Sequence, residues 1–305
     1  MRKIQTIRVL GFPIDLGADR RGVDMGPSAL RIADVDLKLE ELGYTVVDEG
    51  DIPIRNIEVQ ELQDAKLKYL PEVAAMSSVL ASRVKGILDD GHFPLIFGGD
   101  HSMSVGSVAG IASHCKEQGK TLGVIWIDAH ADMNTAETTP SGNIHGMPLA
   151  VAMGYGHPSL LGIGGEFTKL DPRNLAIIGL RSIDPGEREL IKDLGVAAFT
   201  MFDVDRLGMY EIASRVLEDM GRSVDHLHIS FDVDGVDPSV APGVGTPVVG
   251  GLTMREAHVF MEMISQVDAY ASLEVAEVNP ILDDRNKTAE FAAEIIASSM
   301  GKRIL

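Results

Sequence analysis

Short apolar runs alternate with amphipathic stretches from one end of this 305-residue chain to the other. The runs cover residues 7–12, 44–47, 93–97, 122–127, 175–179, 196–201, 227–231 and 270–275. Most are β-branched or apolar throughout, which is the pattern of strands covered on both faces. Between them the apolar period lengthens. In 71–90, Val73, Met76, Leu80, Val84 and Ile87 recur at three- and four-residue steps, as one helix face requires. Thr253 and Glu256 form a capping-box pattern at the head of a helix over 253–266, and 287–299 reads as a final helix. Repeated β-α units leave few topologies open. The expected fold is α/β, a three-layer αβα sandwich around a mainly parallel sheet of about eight strands. No linker, internal repeat or shift in composition divides the chain, so one domain over 1–305 is expected. Its active site should lie outside the carboxyl ends of the strands.

Three acid- and histidine-bearing segments fall just there, each following a strand-like run. They are Gly98-Gly99-Asp100-His101, Asp128-Ala129-His130-Ala131-Asp132 and Asp232-Val233-Asp234-Gly235. In extended chain, residues two apart point the same way, so Asp128, His130 and Asp132 can converge, as can Asp232 and Asp234. Charges at a buried strand end need partners or a metal. Four carboxylates with two imidazoles suit a pair of borderline or hard divalent ions such as Mn²⁺. Such a pair turns water into a nucleophile near neutral pH, which points to a hydrolase.

Bulk composition narrows the partners. Asp and Glu number 45 against 27 Lys and Arg, a formal charge of −18, which argues against nucleic acid and anionic membrane surfaces. The acidic surface is read as a solubilising one in the first place, and it would also attract a cationic substrate. The lone cysteine, Cys115, forms no intramolecular disulfide, and a reducing cytoplasm is the natural setting. The first six residues start like a leader, but no long apolar core follows. No segment approaches the length of a membrane span.

Two connections, 133–154 and 234–251, are long and rich in Gly, Pro, Thr and Ser, a mark of functional loops. The first carries His145, which reads either as a proton shuttle or as an incidental loop histidine. Glu277, beyond the last strand, is placed either to hold a planar cation or merely to enter a helix, and alone it favours the second reading. The glycine-rich stretches at 98–99 and 243–248 match neither a P-loop nor a dinucleotide fingerprint, so close backbone approach is their expected role. His226 and His228 read as hydrogen-bonded core residues. His92, His114, His157 and His258 have no candidate ligand nearby in sequence, and Cys115 reads as structural.

Taken in order, these motifs resemble the ureohydrolase family, from Gly22-Val23-Asp24-Met25-Gly26-Pro27 to Glu277-Val278-Asn279-Pro280. The loop from Asn134 to Gly146 resembles the arginase subgroup. That resemblance implies two Mn²⁺ per subunit. His101, Asp128, Asp132 and Asp232 would hold one ion, and His130, Asp128, Asp232 and Asp234 the other. It implies that Asn134, Thr139 and Ser141 bind an α-carboxylate, that Asp184 and Glu187 bind an α-amino group, and that Thr246 and Glu277 line the guanidinium end. The implied reaction is hydrolysis of L-arginine to L-ornithine and urea by a hydroxide between the ions. Asp132, His145 and Glu277 would be the catalytic side chains. The alternative is an agmatinase or guanidinobutyrase on another guanidino substrate. The family further implies a homotrimer or homohexamer.

Overall fold

The structure, a computed structural model, describes residues 5–18 and 20–304. Residues 1–4, which include most of the leader-like start, lie outside the described residues. The strands are β1 (Thr6–Phe12), β2 (Thr45–Asp51), β3 (Phe93–Gly98), β4 (Leu122–Ile127), β5 (Leu175–Leu180), β6 (Ala197–Thr200), β7 (His226–Asp232) and β8 (Tyr270–Ala276). They form an eight-stranded sheet in the order β2-β1-β3-β8-β7-β4-β5-β6, with parallel pairing between every pair of neighbours.

The helices are α1 (Gly26–Ile32), α2 (Val35–Glu41), α3 (Leu70–Asp89), α4 (Ser104–Glu117), α5 (Pro148–Ala152) and α6 (Pro158–Leu161). They continue with α7 (Pro185–Leu194), α8 (Met201–Leu207), α9 (Met209–Ser223), α10 (Met254–Ile264) and α11 (Lys287–Ser299). Thr253 and Glu256 do form the capping box that opens α10. One sheet face is covered by α1, α2 and α8 to α11, through residues such as Leu30, Leu39, Val216, Phe260 and Ile295. The other is covered by α3 to α7, through Leu80, Ile111, Leu149, Leu160 and Ile191. Along β4 the two faces alternate, with Ile125 and Ile127 toward one core and Val124 and Trp126 toward the other. Each of these fully buried side chains contributes roughly 1.5–3 kcal/mol of burial. This is the three-layer sandwich expected from the apolar runs.

The strands buried throughout are β3, β4, β5, β7 and β8, whereas the edge strands β2 and β6 are partly exposed. The connection 133–154 departs from the irregular loop expected of it, because α5 forms inside it. Pro148 sits where the helix can lack an amide donor, and Leu149 to Ala152 are buried. Gly99 packs so closely that an added Cβ would lie 1.8 Å from the Ile14 carbonyl oxygen. Close backbone approach therefore accounts for Gly99, while a Cβ on Gly98 would meet the Met103 side chain.

Candidate active site

The four central strands, β3, β8, β7 and β4, deliver His101, Glu277, Asp232 and Asp128 respectively at or just past their carboxyl ends. The chain goes from β3 to β4 across a gap that β7 and β8 later fill. Residues 176 positions apart, such as His101 and Glu277, thereby come within hydrogen-bond reach. Crevices of this kind are where open parallel sheets place their sites.

His101 Nδ1 faces Asp128 Oδ2 at 3.1 Å, Asp132 Oδ2 at 3.1 Å and Asp232 Oδ2 at 3.0 Å. His130 Nδ1 faces Asp128 Oδ1 at 3.4 Å and Asp234 Oδ2 at 3.2 Å. Asp128 thus turns one oxygen to each imidazole. Two ligand groups result, His101-Asp128-Asp232 and Asp128-His130-Asp234, with ligand atoms within 4.8 Å of one another in each group. Asp128 belongs to both groups and Asp232 to the first. Asp132 joins the first cluster through its contact with His101.

The donor set fits a pair of divalent ions. Asp128, Asp132, Asp232 and Asp234 are all buried. His101 Nδ1 and Asp132 Oδ2 are buried without a hydrogen-bond partner, although carboxylate oxygens crowd that nitrogen. Ring nitrogen and carboxylates converging without hydrogen-bond alignment is what ligands of a shared cation show. Charge balance says the same. Burial opposes a charged His101, yet Asp128, Asp132 and Asp232 outweigh it and hold the imidazolium well above its ordinary range. Burial, and then its neighbours Asp234 and Asp128, raise Asp232 well above a normal carboxylate. Burial and then Asp128 push Asp132 up to about 6.

Beside this cluster, Glu277 Oε1 accepts the His101 amide at 3.1 Å and lies 3.1 Å from His145 Nδ1. Burial disfavours the imidazolium of His145, but the Glu277 contact, then Asp132 and Asp100, raise it to about 9. Glu277 Oε2 is buried and unpartnered. Asp132 and Glu277 both adopt positive φ, 51° and 65°. Such left-handed backbone costs a non-glycine residue about 1–2 kcal/mol, and it concentrates at functional sites. The Glu277 amide donates to the Gly99 carbonyl at 2.8 Å, which secures the bend.

A cavity over the cluster is lined by His130, Asp132, His145, Asp232, Asp234 and Thr246, and toward its mouth by Asn134, Thr139, Ser141, Asn143, Asp184 and Glu187. Glu277 lies beneath this lining, under His145. At the mouth Asn134 Nδ2 donates to Asp184 Oδ2 at 2.9 Å, and the Thr139 hydroxyl accepts the Gly142 amide at 2.9 Å. Glu187 closes the capping box that opens α7, with Oε2 accepting the Asp184 amide at 2.8 Å and Oε1 the Met133 amide at 3.0 Å. Burial, with Asp132 adding to it, lifts Glu187 to about 7 despite those amides. Thr246 donates its hydroxyl to Asp234 Oδ2 at 2.8 Å.

Several contributors carry no signal of their own in the sequence. Trp126, two residues before Asp128 on the same strand face, donates Nε1–H to Asp128 Oδ2 at 2.9 Å and stacks on His101 with ring centroids 4.1 Å apart. Ser230, two before Asp232, bonds His101 Nε2 at 2.8 Å and donates to Glu274 Oε1 at 2.6 Å. Ser104 and Ser107 also donate to Glu274, which is fully buried; burial pushes its carboxyl up, but His228, then His101 and Ser104, outweigh burial and bring it down to about 2. Asp100 Oδ2 accepts the Gly17 and Ala18 amides, and the Gly17 carbonyl accepts the His145 amide. Asn143 lines the cavity and donates to the Ala18 carbonyl at 3.1 Å. Strand parity is the one pattern that points to Trp126 and Ser230: each lies two steps inward from a ligand, Trp126 on an apolar strand and Ser230 on one that also carries His226 and His228.

The histidines expected in the core lie in the interior. His226 and His228 are buried and share the Ser272 hydroxyl at 2.9 Å each. His258 bonds Ser298, and His157 caps α6. His114 does meet an acid, Asp89 at 2.7 Å, because α3 packs on α4, a proximity that sequence distance conceals. Cys115 is buried, and burial lifts its thiol to about 12, so it is inert.

Comparison with known proteins adds an independent finding. The family model described as "Arginase family" matches residues 5–301. An arginase of Bacillus subtilis (strain 168) is 50% identical over 301 residues, covering 99% of this chain and 99% of that protein. The structure of the arginase from Bacillus caldovelox superposes with a TM-score of 0.94 at 49% identity, covering 99% of this chain and 100% of that one. That of the arginase from Bacillus cereus does so with a TM-score of 0.93 at 47% identity, with the same coverage of both chains.

Proposed function

The chain belongs to the arginase family, and from that premise we propose that it hydrolyses L-arginine to L-ornithine and urea at the cluster formed by His101, Asp128, His130, Asp132, Asp232 and Asp234. It is a hydrolase. The observation that carries the site assignment is Asp128, set between two imidazoles with one oxygen toward each. The cofactor in this reading is two Mn²⁺, held by the six residues just named. When bound, such a pair supplies a nucleophile from water near neutral pH.

The side chains divide the remaining work. The buried, unpartnered Asp132 Oδ2 takes the proton of the nucleophile and passes it to the departing nitrogen. Glu277, with Oε2 free and buried, holds the guanidinium and balances its charge as the carbon becomes tetrahedral. His145, against Glu277 and on the cavity wall, exchanges a proton between cavity and solvent. At the mouth, Asn134, Thr139 and Ser141 offer neutral donors to an α-carboxylate, while Asp184 and Glu187 face an α-amino group. Thr246 orients Asp234 at the guanidinium end.

In the same reading residues 1–305 act as one catalytic unit, in the cytoplasm, as a homotrimer or homohexamer. The buried, unreactive thiol of Cys115 is compatible with that compartment. Among the described residues no helix is long and apolar enough to cross a membrane. Sedimentation of the purified protein tests the assembly.

The deciding experiment is urea release with Mn²⁺ from L-arginine and from agmatine, with chelated protein as control. Metal-dependent, arginine-selective release is expected. Preference for agmatine, which keeps the amino group but lacks the α-carboxylate, would keep the ion pair but overturn the roles given to Asn134, Thr139 and Ser141.

A further inference from the structure

Arg181 follows the last residue of β5 and points its guanidinium into the connection after β7. Its Nη2 donates to the carbonyls of Asp234 at 2.7 Å and Val248 at 2.8 Å, and more weakly to Val236 at 3.4 Å. Nη1 donates to Gly235 at 3.0 Å and Gly179 at 3.1 Å, and Nε to Val248 at 3.2 Å. All three nitrogens are engaged by backbone oxygens. The donors of this side chain are therefore spent on loop carbonyls and are not offered to substrate or solvent.

The backbone of the same residue grips the other ligand segment. The amides of Arg181 and Ser182 both donate to the Ala129 carbonyl at 3.0 Å, between Asp128 and His130. One residue thus ties the 128–130 segment, the 234–236 turn and the stretch carrying Thr246 into a single unit. Gly251 shows how tightly the chain closes over the guanidinium: an added Cβ there would lie 2.5 Å from Nη2. The far side of the loop is held by Asp237, whose Oδ2 accepts the Gly250 and Gly251 amides.

We propose that Arg181 is a positioning residue that clamps the β7 connection against β5, so that Asp234 and Thr246 stay set for the ion on the His130 side. Only a guanidinium, with donors on three nitrogens, holds the carbonyls of Gly179, Asp234, Gly235, Val236 and Val248 at once; the single ammonium of lysine has too few donors to hold them all. The role rests on the two-ion reading above, but its first test does not.

Arg181→Lys and Arg181→Gln are compared with the wild type by amide hydrogen exchange, metal-free and Mn²⁺-loaded, together with Mn²⁺ titration calorimetry and kinetics at varied Mn²⁺. Expected are exchange faster by at least about tenfold at residues 234–252 only, and one of the two Mn²⁺ bound about 10–100-fold more weakly, the size usual for groups that orient a ligand. The kcat lost at limiting Mn²⁺ should return with excess Mn²⁺, with KM for arginine unchanged. Unchanged exchange with both affinities intact would overturn the clamp. If Arg181→Gln fails to fold, Arg181→Lys, which keeps the charge but not the fork, decides alone. A wild type that binds no ion pair would sink the proposed function, while exchange in the metal-free proteins would still decide the role of Arg181.

Discussion

Glu277 Oε1 sits between His145 Nδ1 and the amide of His101, 3.1 Å from each. One carboxylate oxygen therefore couples the cavity histidine to the metal-ligand segment. Replacing His145 by Ala should remove the proton route without touching the ligand cluster. Turnover should fall about 10²-fold, the low end of an acid–base contribution, with metal content intact. Loss of both ions in that variant, read by elemental analysis, would contradict a shuttle role.

The same pair sets a pH dependence. The His145 imidazole is raised from 6.5 to about 9 in the folded chain. A base whose folded pKa is raised contributes stability that is complete below the unfolded value and is lost as pH rises through the folded one. In metal-free protein the melting temperature of the wild type should exceed that of Glu277→Gln near pH 6, and the gap should close between pH 6.5 and about 9. A gap that is flat across this window would show that Glu277 does not hold that proton.

Asp128 is shared by both ligand groups. Asp128→Asn should abolish binding of the ion pair, whereas a change at Asp234 should weaken the His130 side first. Mn²⁺ stoichiometry measured on both variants separates the two cases, and full activity of Asp128→Asn would refute the whole site.

Trp126 donates to Asp128 Oδ2 and stacks on His101, beneath the cavity rather than in its lining. Trp126→Phe preserves an aromatic ring and removes the donor. Hydrogen bonds to charged groups contribute about 1.5–3 kcal/mol. Mn²⁺ affinity should therefore fall about 10–100-fold, as when other groups that orient a ligand are lost. Titration calorimetry on metal-free protein measures this directly, and equal affinities would assign Trp126 to packing alone.

Asp184 and Asn134 hydrogen-bond to each other at the cavity mouth, away from the bond that breaks in the proposed reaction. Asp184→Ala should raise KM for arginine at least about tenfold and leave KM for desamino-arginine, which keeps the carboxylate but has no α-amino group, comparatively unchanged. Parallel kinetics on the two substrates distinguish head recognition from general damage.

The strands and the helices α3, α10 and α11 are legible in the sequence because each carries its own periodic or capping signal, whereas short helices such as α5 are not. The ligand segments are legible too, since carboxylates gathered immediately after buried strands must be paired or bind a cation. Trp126, Ser230 and Glu274 are not, although each lies on a strand that is legible as one. A buried polar residue on an apolar run is silent until its partner is known, and the partners of Glu274 come from α4 and β7. His145 and Glu277 are ambiguous one at a time for the same reason: they are 132 residues apart, and only their shared contact gives either a chemical task.

The sequence by itself determined a parallel α/β sandwich, the order of its units and the residue types gathered at the strand ends, because local periodicity and the cost of burying charge act along the chain. Tertiary structure alone decided which strands are neighbours. By placing β7 and β8 between β3 and β4, it brought His101, Asp128, Asp232 and Glu277 together. It also turned Arg181 into the loop after β7. Those contacts depend on long-range strand order, and no local spacing encodes it.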